Sequence, residues 1–204
     1  MRPVGEAVVL GSGQRPDTVD AAAARRRDLP ILRRRSGGGA VLVSPADLLW
    51  VDVVVPRDDP LWHPDAAGAF AWLGRAWQRA LAECGISGEV YEGAYEAGRW
   101  GKLVCYAGRG PGEVFVAGRK VVGLSQRRSR AYARFQSGLL RRWEPGEFAA
   151  LLALSAPERE ALAQDLAGSA APVTVAEDRM LAALYAAVTA TRGATAASQS
   201  SSVL

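Results

Sequence analysis

Apolar positions change their spacing several times along the chain, and each change predicts an element. Ala7–Gly11 is a short apolar run, read as a buried strand that ends in the loop Ser12–Pro16. Thr18–Arg27 has helical character, with Asp17 or Thr18 as its N-cap and alanines behind it. Leu29–Arg33 predicts a second strand, and Val41–Val43 and Leu48–Val55 predict two more, joined through Ser44–Asp47. The last of these is nearly continuous apolar, the pattern of a buried central strand. Asp52 interrupts it, and a buried carboxylate there needs hydrogen-bond partners. From Asp65 to Cys84 the residues Ala66, Phe70, Leu73, Trp77, Leu81 and Cys84 recur at helical spacing, one apolar stripe entered after Pro64 and stopped at Gly85.

The second half is less regular. Val90–Trp100 shows no period, Lys102–Ala107 predicts a short strand, and Gly108–Gly112 is a glycine-rich loop. Two β-prone runs, Glu113–Ala117 and Val121–Gln126, face each other across Gly118 and predict a hairpin. An arginine-dense stretch follows, with Tyr132, Phe135 and Trp143 interleaved. Glu147–Leu154, Pro157–Ala167 and Val175–Thr191 read as helices. Residues 193–204 form a polar tail expected to be disordered, which leaves 1–192 as one domain.

Composition narrows the class. With 204 residues and 49% hydrophobic content, the chain can bury a real core. No apolar run reaches the roughly 18 residues a membrane span needs, and no signal peptide is evident. Cys84 and Cys105 form no disulfide framework, so a reducing, cytoplasmic setting is expected. The net charge of +4 suits an anionic ligand without demanding nucleic acid.

Charge usage singles out one residue. Of 25 basic residues only Lys102 and Lys120 are lysines. Lys120 opens the returning strand of the hairpin, where a compact ammonium meets a phosphate or carboxyl group differently from a planar guanidinium. The plain alternative is a solvated lysine beside a turn. Upstream, Arg33, Arg34, Arg35 and Ser36 lead into Gly37, Gly38, Gly39 and Ala40. Glycines there let backbone N–H groups approach an anion, although a loop-only role would leave the same trace. Cys105 is either a packed thiol or a nucleophile with a pKa lowered by Lys120 or an arginine. Cys84 reads as packing and the lone histidine, His63, as structural.

The pairing of Arg33–Ala40 with Gly118–Arg128 resembles the lipoate–protein ligase A and octanoyltransferase family of the biotin/lipoyl ligase superfamily. That family's pattern is Arg-Arg-x-Ser-Gly-Gly-Gly-Ala-Val, then a hairpin with Gly-(Arg/Lys)-Lys-x-x-Gly-x-(Ala/Ser)-(Gln/Tyr)-Arg. The resemblance implies an α/β fold with a mixed, largely antiparallel sheet covered by helices. It implies ATP-dependent attachment of lipoate or octanoate, through an acyl-adenylate and with Mg2+, to a lysine of a lipoyl carrier domain. Such carriers belong to 2-oxoacid dehydrogenases or are the glycine cleavage H protein. Carried over, Arg34, Ser36, Gly37, Gly38, Gly39 and Ala40 line the acyl and adenylate site, Lys120 holds carbonyl and phosphate oxygens, and Gly123 and Ser125 frame the nucleotide side. No resident metal site is expected. Gln136-Ser137-Gly138 stands where ligases often have His-His-Gly, and the family's first strand and helix are expected to be missing before Ala7. A transferase with a thioester on Cys105 and no ATP is the rival within the superfamily. A basic nucleic-acid-binding domain and an inactive acyl-binding relative are the readings outside catalysis.

Overall fold

The computed structural model describes residues 3–201. Strands β1 (Ala7–Leu10), β2 (Ile31–Arg33) and β3 (Val41–Val43) form a small sheet, with β1 central, β2 parallel to it and β3 antiparallel. The parallel pair needs a crossover, and α1 (Ala21–Arg26) supplies it. Its N-cap is Asp20, where Asp17 or Thr18 is expected from sequence: Asp20 Oδ1 accepts from Ala22 N at 3.0 Å and Ala23 N at 2.9 Å. Asp17 and Thr18 lie instead in a preceding 3-10 turn that starts at Pro16.

The larger sheet holds β4 (Leu48–Pro56), β5 (Glu89–Val90), β6 (Val114–Val116), β7 (Arg119–Arg128) and β8 (Tyr132–Leu140). Its order is β4-β8-β7-β6-β5 with every neighbouring pair antiparallel. The apolar β4 is therefore an edge strand and not a central one. It is apolar on both faces because Leu49, Val51, Val53 and Val55 pack toward α2 (Ala71–Glu83) and α5 (Glu177–Ser201), while Leu48 packs with Val41 and Val43 of the small sheet. Helices α3 (Pro145–Ala149) and α4 (Ala156–Ser169) cover the small sheet, and α4 starts at a capping box of Ser155 and Glu158. The architecture is the mixed, largely antiparallel α/β arrangement expected. A third cluster of Val41, Val43, Leu48, Tyr106, Leu140 and Ala170 lies where the two sheets meet.

Three further elements differ from the sequence reading. Residues 102–107 form turns, with one isolated bridge from Val104 to Ala40 in place of a strand. The arginine-dense stretch is not one element: Arg127 and Arg128 end β7, Arg130 lies in the connection, Arg134 is on β8, and Arg141 and Arg142 follow it. Helix α5 runs on through residues 193–201, where a disordered tail is expected. The hydroxyls of Thr191, Thr195 and Ser198 bond carbonyls one turn back and so satisfy themselves inside the helix. Residues 202–204 of that tail lie outside the described residues.

The hairpin turn holds Ala117 and Gly118 at φ of 48° and 75°, the two left-handed residues a tight two-residue connection requires. Just past it the register slips: Val114 pairs with Val122 but Phe115 with Lys120, leaving Val121 as an extra residue. Such a bulge re-aims side chains. Val121 and Val122 both enter the core under α2, and Lys120 is thrown to the opposite face with Gly123 and Ser125.

Candidate active site

Arg34 organises the glycine loop from within. It is buried, and its guanidinium donates to the carbonyls of Val9 at 3.2 Å, Gly37 at 2.6 Å and Gly39 at 2.9 Å. Its Nε–H has no partner among the described residues. The loop is as tight as its glycines allow. Gly38 sits at φ 93°, and a Cβ on Gly39 would lie 2.6 Å from the Val104 backbone. Ala40 N then donates to Leu103 O and Cys105 N to Ala40 O, which fastens the loop to residues 103–105.

Lys120 grips the same segment from the other side. Its Nζ donates to Cys105 O at 2.9 Å and pairs with Glu113 Oε2 at 2.6 Å. The two side chains are 1% and 5% exposed, so this is a buried ion pair. Glu113 is otherwise satisfied by Gly110 N at 2.7 Å and Leu124 N at 3.3 Å. Burial nonetheless pushes its carboxyl pKa above the ordinary value, against the pull of Lys120 and those amides. Cys105 keeps some exposed surface, yet its thiol is enclosed, and burial pushes its pKa up despite nearby Arg34 and Lys120. A buried thiol in that state is a poor nucleophile.

Between the sheets lies a cavity of about 20 Å³ lined by Arg34, Cys105, Trp50, Leu48, Gly123 and Ser125, among others. Cross-strand register builds its walls. Gly123 lies opposite Gly138, Ser125 opposite Gln136, and Gln136 opposite Asp52. Along that face runs a polar chain. Ser125 Oγ donates to Ser36 Oγ at 3.0 Å, Ser36 Oγ to Gln136 Oε1 at 2.7 Å, and Gln136 Nε2 to Asp52 Oδ1 at 3.3 Å. Asp52 also pairs with Arg134 and accepts from Trp50 Nε1 at 3.0 Å, the partnered structural role expected of it.

The sequence residues thus fall into two sets. Arg34, Cys105, Gly123 and Ser125 line the cavity, and Ser36 reaches it through Gln136 and Ser125. Gly37, Gly38, Gly39, Ala40 and Lys120 do not line it; Gly39 and Ala40 on one side and Lys120 on the other hold residues 103–105. Glu113 and Tyr106 escape the motif reading, and Gln136 enters it only as a departure from His-His-Gly. His63 accepts from Asp65 N in its loop, and Cys84 packs half-buried at the end of α2, both structural as read. Among the described residues no helix is long and apolar enough to cross a membrane.

These features have a counterpart among known proteins. The family model for the lipoyl protein ligase A/B catalytic domain matches residues 5–178, and the chain belongs to that family. The fold is similar to that of a bi-partite lipoate protein ligase from Thermoplasma acidophilum, studied with its E2 lipoyl domain. That match has a TM-score of 0.73 and 20% identity, over 92% of this chain and 68% of the other. A lipoate protein ligase from the same organism with bound lipoic acid matches at TM-score 0.68 and 20% identity, over 92% and 69%. A lipoate-protein ligase A bound with ATP matches at 0.69 and 20%, over the same shares. No curated protein matches the chain.

Proposed function

We propose that this chain attaches lipoate or octanoate to a lysine of a lipoyl carrier domain, through an acyl-adenylate formed with MgATP. In the first step the acid's carboxylate attacks the α-phosphorus and pyrophosphate leaves. In the second the carrier lysine attacks the acyl carbonyl and AMP leaves. Charge grows on phosphate oxygens in one step and on the carbonyl oxygen in the other. At the cavity the unpaired Nε–H of Arg34 is a donor for that charge, and Lys120, held behind it on Glu113 and Cys105 O, adds the field of a buried cation. The exposed Arg33 and Arg35 beside the loop draw in the triphosphate. Magnesium enters with the nucleotide, since it is carried by phosphates and water, and the nearby carboxylates Glu113 and Asp52 are already engaged. The relatives solved with ATP and with lipoic acid, and the one studied alongside its E2 lipoyl domain, support the substrate and partner classes.

The observation that favours a ligase over a thioester-forming transferase is the state of Cys105. Its thiol pKa is raised by burial, and the only histidine, His63, is engaged with Asp65. Cys105→Ser is accordingly expected to retain acyl transfer within about threefold, since a substitution that removes no transition-state contact leaves kcat/KM nearly unchanged. Intact mass spectrometry after incubation with octanoyl-carrier protein should find no octanoyl adduct. An adduct on Cys105 formed without ATP, lost in Cys105→Ser together with activity, would replace the ligase reading by the transferase.

A further inference from the structure

The free edges of the two sheets differ in length. β2 and β3 have three residues each and β5 has two, short enough to resist pairing with another chain. β4 has nine, runs in unbroken register with β8 and carries neither a bulge nor a lysine. Arg57 N donates to Ala131 O at 2.9 Å and Arg141 N to Asp47 O at 2.7 Å, so the odd-numbered positions of β4 turn their backbone groups toward β8. The amides and carbonyls of Trp50, Asp52 and Val54 therefore point off the sheet, and no described residue bonds them. Apolar side chains line this edge on both faces. Val51 and Val53 are half-buried on the helix side, and Val54 is 55% exposed on the other.

We propose that β4 pairs antiparallel with β4 of a second copy of this chain, about a two-fold axis through Asp52, so that two five-stranded sheets become one continuous sheet. The open donors are themselves symmetric about Asp52. Beyond them the ladder has to stop, because Pro56 has no N–H and Leu48 N already donates to Ser44 O at 3.0 Å. In that register Val51 meets Val53 of the second copy and Trp50 meets Val54, each twice by symmetry. At both ends Asp47 meets the exposed Arg57 of the second copy. The two Asp52 carboxylates do not oppose each other bare, since each is held by Arg134 Nε at 3.0 Å. This symmetry of donors, apolar positions and end charges is what selects a second copy as the occupant. Leu48 and Trp50 also line the cavity, so the second copy's Pro56 and Val54 would back that wall.

The test needs no acyl chemistry. Sedimentation of wild type up to about 100 μM, a range suited to the small area of a one-strand interface, should show a monomer–dimer equilibrium. Val54→Pro removes an outward N–H, leaves the bonds to β8 in place, and should weaken dimerisation by about tenfold or more because two ladder bonds are lost. Arg57→Glu sets like charge against Asp47, should weaken it as well, and serves if the proline variant does not fold. Disulfide trapping reads the register. Val51→Cys mixed with Val53→Cys should cross-link in a glutathione buffer, since directly opposed non-hydrogen-bonded residues have Cα atoms about 4.5 Å apart, within disulfide reach. Either variant alone sets its thiols two positions out of register, about 7–8 Å apart, and should not. A monomer throughout, dimerisation unchanged in the folded variants, or equal cross-linking in the mixture and in either variant alone overturns the inference. So does a monomeric wild type whose binding to a lipoyl domain is lost in Val54→Pro, which would give this edge to the carrier.

Discussion

Lys120→Arg is expected to lower acyl transfer to a lipoyl domain by about a hundredfold or more, although it conserves charge, because it displaces a preorganised cation whose field acts beside the cavity and which holds its wall at Cys105. Lys120 Nζ sits between Glu113 Oε2 at 2.6 Å and Cys105 O at 2.9 Å, in a position 1% exposed to solvent. A guanidinium is wider, planar and fixed in its donor directions. It cannot centre its charge between those oxygens without pushing the Tyr106 ring or residues 103–105, and over-packing of this kind costs about 1–3 kcal/mol. The variant should therefore melt lower as well as turn over slower. Steady-state transfer per folded molecule, with folding followed by circular dichroism at the assay temperature, separates the two effects. Lys102→Arg, at an exposed position, is the control and should be silent. Near-normal transfer by folded Lys120→Arg would reduce Lys120 to a structural cation.

Much of this site is legible in the residues because its two motifs are local in sequence. The glycine loop and the hairpin lysine each need neighbours only a few positions away, so they can be read without knowing the fold. What joins them is not local. Residues 102–107 have strand propensity, yet one bridge to Ala40 is all the pairing they find, because Lys120 and the glycine loop hold the segment from either side. Strict alternation from Val122 would place Lys120 on the helix-facing side of β7. Only the bulge at Val121 returns it to the site, and the trace it leaves is the adjacent pair Val121-Val122, both packed in one core. Strand β8 does carry a period-two signal, with Ala133, Phe135 and Leu139 inward and Arg134, Gln136 and Gly138 on the cavity face. Its outer residues Arg134, Gln136 and Gly138 are polar or small, and the arginines on either side of it, Arg127, Arg128 and Arg130 before and Arg141 and Arg142 after, make the region read as a basic stretch. Glu113 has no local signature at all: a carboxylate before a hairpin is ordinarily solvated, and its partner lies across the turn.

That hidden carboxylate carries the largest expected change in stability. Glu113→Gln leaves the Lys120 ammonium buried against Cys105 O without a counter-charge, and breaking a buried pair from one side costs about 3–5 kcal/mol. For a chain of this size each kcal/mol lowers Tm by about 2–4 °C, so a fall of roughly 6–20 °C is expected. Removing both charges is different. The double variant Glu113→Gln with Lys120→Met leaves no unpaired ion, and should be more stable than Glu113→Gln alone by about 1–3 kcal/mol, though inactive. The pair also imprints a pH dependence. Burial raises the folded pKa of Glu113 above its unfolded value, near the ordinary 4.5, so the folded state holds that proton more tightly than the unfolded state. The Glu113 contribution is therefore fully present below the unfolded pKa and is lost as pH rises from there through the folded pKa. Urea unfolding across that window measures it: the stability of wild type should fall as pH rises through it and then level off, whereas Glu113→Gln has no proton to release there and should lack that fall. Equal stability of the two proteins at neutral pH, or a double variant weaker than the single one, would mean that Glu113 and Lys120 are not held as the buried pair on which the site is built.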